Sequence, residues 1–447
     1  MTTTVSPMPK AGPACATDFQ GAFATRATQR GTEPSWLAAA RTEAMARFEG
    51  SGLPSRKSEL WRYTALAAFG RQAFGLDAPL DKAENLAEHI AKHSIGDTCA
   101  RLVFLDGVYL PEFSTKSTDA SVLVSALSAA KGEALEGAQR SIASLEGNWE
   151  RPFLDLNTAL ADEGAVVRIR AGQEVAHPIQ LLFLASGKSP HASLARISVE
   201  LGKNSRATLV EEYASLGDDS DLVAPVTQVR VADGAELRHM RVQDSARPAF
   251  FFGSVDVEIG KDAAWRGVSI QFGAAIGREE VRASYSGSGG EFEFYALGHS
   301  DGARVADIQA EVVHGPENCT SRQTYRGVVD DKARGVFNSR VVVERDAQGS
   351  DTGQSSKSLL FSDDAIANTK PQLEVLANDV KCFHGATVGQ LDEDAFFFLR
   401  SRGIGAKEAR AMLTQAYALE VIQALSVTEL RDRMTIQLQR RLAGAKS

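Results

Sequence analysis

From Ala165 to about Phe361 the chain is a series of short β-prone runs broken by turn-formers. The runs include AVVRIR (165–170), IQLLFLA (179–185), LARISVEL (194–201), ATLVEEY (207–213), VTQVRVA (226–232), VDVEIG (255–260), VRASYSG (281–287) and GVFNSRVVVE (335–344). Gly202, Asp233-Gly234, Gly260, Gly289-Gly290 and Asp301-Gly302 punctuate them. No helical pattern of 10 to 15 residues separates the runs, which argues against a βαβ sheet. Two punctuations resemble each other, Leu201-Gly-Lys-Asn-Ser-Arg-Ala207 and Ile259-Gly-Lys-Asp-Ala-Ala-Trp265, and their spacing is a multiple of a plausible coil length. A faint repeat of short strands predicts a stacked parallel β-solenoid or a large sandwich. Arg168, Arg170 and Arg196 are expected to point outward from strands with one buried face.

The flanks read differently. Residues 1–32 are rich in Thr, Ala, Pro and Gly without periodicity and are expected to form a disordered tail. Residues 33–163 read as a mostly helical region. Leu37, Ala40, Ala44 and Phe48 recur at helical spacing, 80–95 looks helical, and 120–163 has helical composition. One β insertion interrupts it, a hairpin turning at Asp106-Gly107. The β core is expected over 164–389. Over 390–447 three short helices follow, the first opened by Asp392 and the last by the capping box Ser426-Val-Thr-Glu429.

Composition narrows the classes. A chain of 447 residues is too long for one ordinary core, and its 43% hydrophobic content can fill a large one. The formal net charge of −8 argues against a nucleic-acid partner. No stretch approaches the ~20 apolar residues of a membrane span. The N-terminal residues lack a signal-peptide core, so a cytosolic protein is expected. The four cysteines (Cys15, Cys99, Cys319, Cys382) show no CxxC spacing and are expected as thiols.

Candidate chemistry is sparse. In Pro371–Gly403, Cys382 and His384 lie one residue apart in a strand-like run, so they share a face with Phe383 opposite. A thiolate beside an imidazole can ligate iron, zinc or copper, but a closed site needs more donors, which another chain could supply. From spacing alone this is more often a buried thiol beside a hydrogen-bonded histidine. His314 and Cys319 form a second soft cluster, readable also as a loop capping one coil. His89 and His93 stand four apart without a third ligand. Lys188-Ser189 ends like a P-loop, but Leu182 replaces the first glycine. Trp61 and Tyr63 among Arg56, Lys57 and Arg62 fit aromatics packed under basic stems better than a base-stacking surface.

The ordered run Pro371-x-Leu-Glu-Val-x-Ala-x-Asp-Val-Lys-Cys-x-His-Gly-Ala-Thr-Val-Gly389, with Leu391-Asp392, Phe398-Leu399 and Ser401-Arg-Gly-Ile404, resembles the C-terminal signature of the SUF iron–sulfur assembly scaffolds (SufB/SufD). Lys57…Trp61-Arg-Tyr63-Thr64, Asp106-Gly107 and Thr320-Ser-Arg…Tyr325-Arg-Gly327 extend the resemblance from about residue 55 to the end. It is nearer the SufD branch. Gln354-Ser355-Ser356 stands where SufB carries its sulfur-accepting cysteine, and Gly385 where SufB has a carboxylate.

The resemblance implies a right-handed parallel β-helix core flanked by N- and C-terminal helical domains. It implies a non-enzymatic subunit that pairs with a SufB-type sister and docks a SufC-type ABC ATPase through its C-terminal helices. Phe396, Phe397, Arg402, Met412 and Tyr417 are the expected docking residues. Cys382 and His384 would face the sister at a transient iron–sulfur cluster. No sequence feature marks a flavin or sulfur-carrier site, and homodimerisation of the lone chain stays open. The alternative is a solenoid enzyme acting on polysaccharide, which needs paired carboxylates on the strands.

Overall fold

The computed structural model describes residues 12–31, 33–76, 85–145 and 150–442. Two sheets, of ten and eleven strands, run the length of the chain's middle and close on one shared apolar interior. Successive strands alternate between the sheets, so the chain winds as a parallel solenoid of about eight turns. Ile276 pairs with Val305 and Val305 with Arg334, and the step from Gln309 to its neighbour Asn338 is 29 residues. Inward positions are apolar because they stack on the same position one coil away. Val255, Val281 and Ala310 make one such row.

The corners have their own chemistry. Asn204, Asp262 and Asn318 have φ of 56°, 51° and 59°, and Gly234, Gly289 and Gly349 have φ of 67°, 73° and 72°. This left-handed region favours Gly, then Asn and Asp. The corners also stack. A Cβ on Gly234, Gly289 or Gly349 would fall 2.2 Å from the Oδ1 of Asn204, Asp262 or Asn318 respectively. The punctuating glycines are therefore the places where one coil rests on the next.

Helices cover the outer faces. Ser35–Ser51 and Pro152–Leu160 lie over the eleven-stranded sheet, where Trp61, Phe69 and Phe153 pack on Phe250 and Phe252. Trp61 is buried, but the basic group over it is Arg278, 3.9 Å from the ring centre, rather than the neighbouring Arg56, Lys57 or Arg62. Ala406–Ile422 and Thr428–Leu442 cover the ten-stranded sheet through Ala418, Val421, Leu430 and Leu438. Glu212 receives both Arg433 and His93, tying the last helix to the N-terminal region.

Several local expectations need correcting. Within the segment read as a tail, Phe19–Gln29 form a helix capped by Asp18, with Phe19 buried against Phe48. Residues 1–11 and 32 lie outside the described residues. Val122–Ala126, inside a stretch read as helical, is a strand pairing antiparallel with Gly164–Ile169. The helix expected at 80–95 is Leu86–Lys92, and 77–84 lie outside the described residues. Arg196 does not reach solvent. It is buried under the helices and donates to the Ser141 carbonyl at 2.7 Å.

Candidate functional site

Strands Ile366–Val375 and Lys381–Gly389 form the last coil, and each ends its sheet. One edge of each is paired, Arg334 to Ile366 and Asp351 to Lys381. Among the described residues no strand pairs with the other edge, which leaves a row of open N–H and C=O groups. The interior coils are buried, whereas this coil is half-buried to exposed. Ile366, Val375, Leu376, Phe383 and Val388 are exposed there, between 39% and 55%. Open backbone groups beside exposed apolar side chains are the kind of edge on which a further strand can pair.

The alternation expected for Cys382 and His384 holds in the strand. Register sets Cys382 beside Thr352 and His384 beside Gln354. Phe383 faces outward and lies on Gly353, where a Cβ would meet its Cζ at 2.3 Å. Arg322 covers the same ring at 5.5 Å and is held by Asp351 at 2.8 Å. With Phe383 pinned outside, Cys382 and His384 turn to the interior side at the open mouth of the solenoid. Cys382 is half-buried against the core, and His384 is exposed. Burial, then the Asp351 charge, push the Cys382 thiol up, so it stays protonated until a metal or base takes the proton. Among the described residues no group of three His, Cys, Asp or Glu side chains gathers as a metal site. The mouth therefore offers two donors, which is half of a tetrahedral set.

Behind the two donors the interior changes character. One row runs Phe292, Ser321, Thr352, Cys382, and the next runs Phe294, Gln323, Gln354, His384. Apolar filling gives way to hydrogen-bonding groups over the last coils. Ser321 Oγ donates to Thr352 Oγ1 at 2.9 Å and takes His314 Nε2 at 2.8 Å. Burial pushes the His314 imidazole down to about 4, so it is neutral at physiological pH. Gln354 Nε2 donates to the carbonyls of Ser339 at 3.4 Å and Gln372 at 3.3 Å across the interior. Thr369 Oγ1 donates to Ser356 Oγ at 2.9 Å. Sequence reasoning missed these rows. Their signal was polar residues at every second position in TSRQTYR and DTGQSSK.

The other candidates resolve as structure. His314 and Cys319 are both buried, with Cys319 Sγ on the carbonyls of Gly287 and Glu317. His93 contacts Glu212 at 3.3 Å, and Lys188 lies in a loop after strand Ile179–Ala185. A groove of about 650 Å³ lies between helix Gly132–Ser144 and the eleven-stranded sheet, away from Cys382. Of the expected docking residues, Phe397, Arg402 and Met412 are exposed, Phe397 by 73% and Met412 by 43%. Phe396 lies under Arg410, Arg402 over Phe398, and Tyr417 beside Arg326.

The solenoid with a two-donor open end has a family. Residues 183–417 match the SUF system FeS cluster assembly, SufBD core domain, and residues 23–181 match the SufBD protein N-terminal region. The chain belongs to the SufBD family of iron–sulfur cluster assembly proteins. It is 29% identical to the iron–sulfur cluster assembly protein SufD of Escherichia coli, over 88% of this chain and 90% of that one. It is 30% identical to an iron–sulfur cluster assembly SufBD family protein of Synechocystis, over 92% and 93%. A chloroplastic protein of Arabidopsis thaliana, ABCI7, is 28% identical over 65% and 64%. Within the family the chain is a SufD homologue.

Proposed function

We propose that this chain is a non-enzymatic scaffold subunit that pairs, through its last coil, with a SufB-type sister scaffold. Cys382 and His384 then form half of a shared site on which an iron–sulfur cluster is assembled and released as cargo. The observation that carries this reading is the placement of both donors on the interior side of a terminal strand with one unpaired edge. A second scaffold adding its own strand there would complete the sheet by β-augmentation and bring the remaining ligands. The exposed Ile366, Val375, Leu376 and Val388 supply apolar area for that contact. The helix Glu393–Ser401 follows the same coil and presents Phe397, with Met412 on the next helix, as a docking surface for a SufC-type ABC ATPase. ATP hydrolysis in that partner would shift the pair between closed and open arrangements of the mouth. All four cysteines are free thiols, which fits a reducing cytosol.

The test uses the three-component complex. With Cys382 and His384 both replaced by Ala, the sister scaffold and ATPase still co-purify, but anaerobic loading with ferrous iron and sulfide falls to background. Unchanged loading removes the ligand role. Charge placed on the apolar edge by Leu376→Asp with Val388→Asp releases the sister scaffold while the chain's own circular dichroism is kept. If pairing survives, the interface lies elsewhere. A self-paired chain that the sister cannot dissociate assigns the edge to a second copy.

A further inference from the structure

We infer that Gln354 is a positioning residue for His384: its side-chain oxygen accepts the inward N–H of the imidazole and so leaves the other ring nitrogen aimed out of the solenoid mouth. The inference rests on the proposed role of His384 and adds a residue to it.

Gln354 is 1% exposed, and its Oε1 has no hydrogen-bond partner. The amide orientation follows from its surroundings. Nε2 faces the carbonyl oxygens of Ser339 and Gln372, so a flipped amide would set oxygen against two oxygens. The open acceptor is therefore the carbonyl. A buried acceptor left unmet is unfavourable, because it has given up its hydrogen bonds to water. Two coils further in, the same row is filled by Phe294, which leaves no polar atom unmet. The inner neighbour on this row, Gln323, has its oxygen occupied by Ser339 Oγ but an Nε2 that is also without a partner, so it is the donor that competes with His384 for the Gln354 oxygen. His384 is the next residue outward on the same face, one strand spacing of roughly 4.8 Å away. That is the reach of a Gln–His hydrogen bond. Metal-binding histidines generally donate the second ring N–H to a carbonyl or carboxylate, which sets tautomer and ring orientation. Gln354 offers that acceptor from inside the fold, before any partner arrives.

The experiment reads the tautomer directly. The full-length chain is labelled with ¹⁵N-histidine, and two-bond proton–nitrogen spectra are recorded above pH 8, with His384 assigned by its loss in His384→Ala. One tautomer of His384 dominates in the wild type. Gln354→Leu moves it toward the mixture of a free imidazole, whereas Gln323→Leu, which removes the competing donor one coil further in, leaves the single form. In the complex, iron loading falls roughly 10- to 100-fold in Gln354→Leu, the usual cost of an outer ligand partner, and stays at the wild-type level in Gln323→Leu. An unchanged His384 spectrum in Gln354→Leu overturns the inference, even if loading falls. Failure of the underlying reading is seen separately, as normal loading in His384→Ala.

Discussion

Glu211 carries a charge inside a β-solenoid because four neighbours share it. Tyr213 and Arg241 donate to it at 2.6 Å, Thr227 at 3.0 Å, and His239 Nε2 lies at 2.9 Å. Arg241 in turn reaches Glu279 at 2.9 Å, which accepts from Ser269 at 2.6 Å. Burial opposes the Glu211 charge, but Arg241 and then His239 outweigh it and hold the carboxyl down at about 2. A depressed carboxylate stabilises the fold above its unfolded value and loses that contribution as pH falls toward 2. Glu211→Gln leaves the buried Arg241 with Glu279 as its one remaining carboxylate and breaks a buried ion pair, so it should cost up to about 3–5 kcal/mol in urea unfolding. It should also flatten the acid limb of the stability curve. Asp221 has the opposite sign. Burial, with Asp106 nearby, raises it to about 7, so its native form holds a proton that the unfolded chain has lost. Stability should fall as pH rises from about 4 to about 7. Thermal melts of Asp221→Asn should show a shallower fall over that window. Neither group was legible in the sequence, because ATLVEEY reads as an ordinary half-polar strand. Which face a glutamate occupies depends on the coil above.

At the scale of elements, local signals were legible wherever local physics decides. The β runs after Ala165, the Asp106-Gly107 hairpin and the Asp392 cap all formed where turn and cap chemistry placed them. The helix Phe19–Gln29 was hidden because FQGAFATRATQ has little amphipathic pattern and is held by tertiary contacts. Arg30, just past its end, bonds Asp162 at 2.6 Å. Strand Val122–Ala126 was masked by its Ala-rich surroundings. The Cys382–His384 face was legible from period two. The Gln354 row was not, since polar alternation does not say which side is inside. The corners give the sharpest element-scale prediction. Gly289→Ala combines a φ of 73° with a contact on Asp262 Oδ1. It should destabilise by about 1–3 kcal/mol, read as a lower urea midpoint with unchanged strand content. Gly385, with nothing within 4 Å of its Cβ position, should accept alanine at little cost in the lone chain.

Across the whole molecule, stability should grade along the solenoid. Each coil gains from two neighbours except the last, which has one. Amide hydrogen exchange should therefore be fast over 366–375 and 381–389 and slow over 276–285. Adding the sister scaffold should slow the first two segments toward the third. Protection confined to the outer helices would show that pairing does not extend the sheet.

The open mouth has one further thermodynamic consequence. In the proposed pairing its two donors lie on the strand that the sister scaffold would cover, and cargo occupancy and subunit pairing would then be coupled. By reciprocity, whatever factor pairing adds to metal affinity, metal adds to the affinity of the two chains for each other. Loaded scaffolds should hold together longer than empty ones, and unloading should be the moment at which they let go.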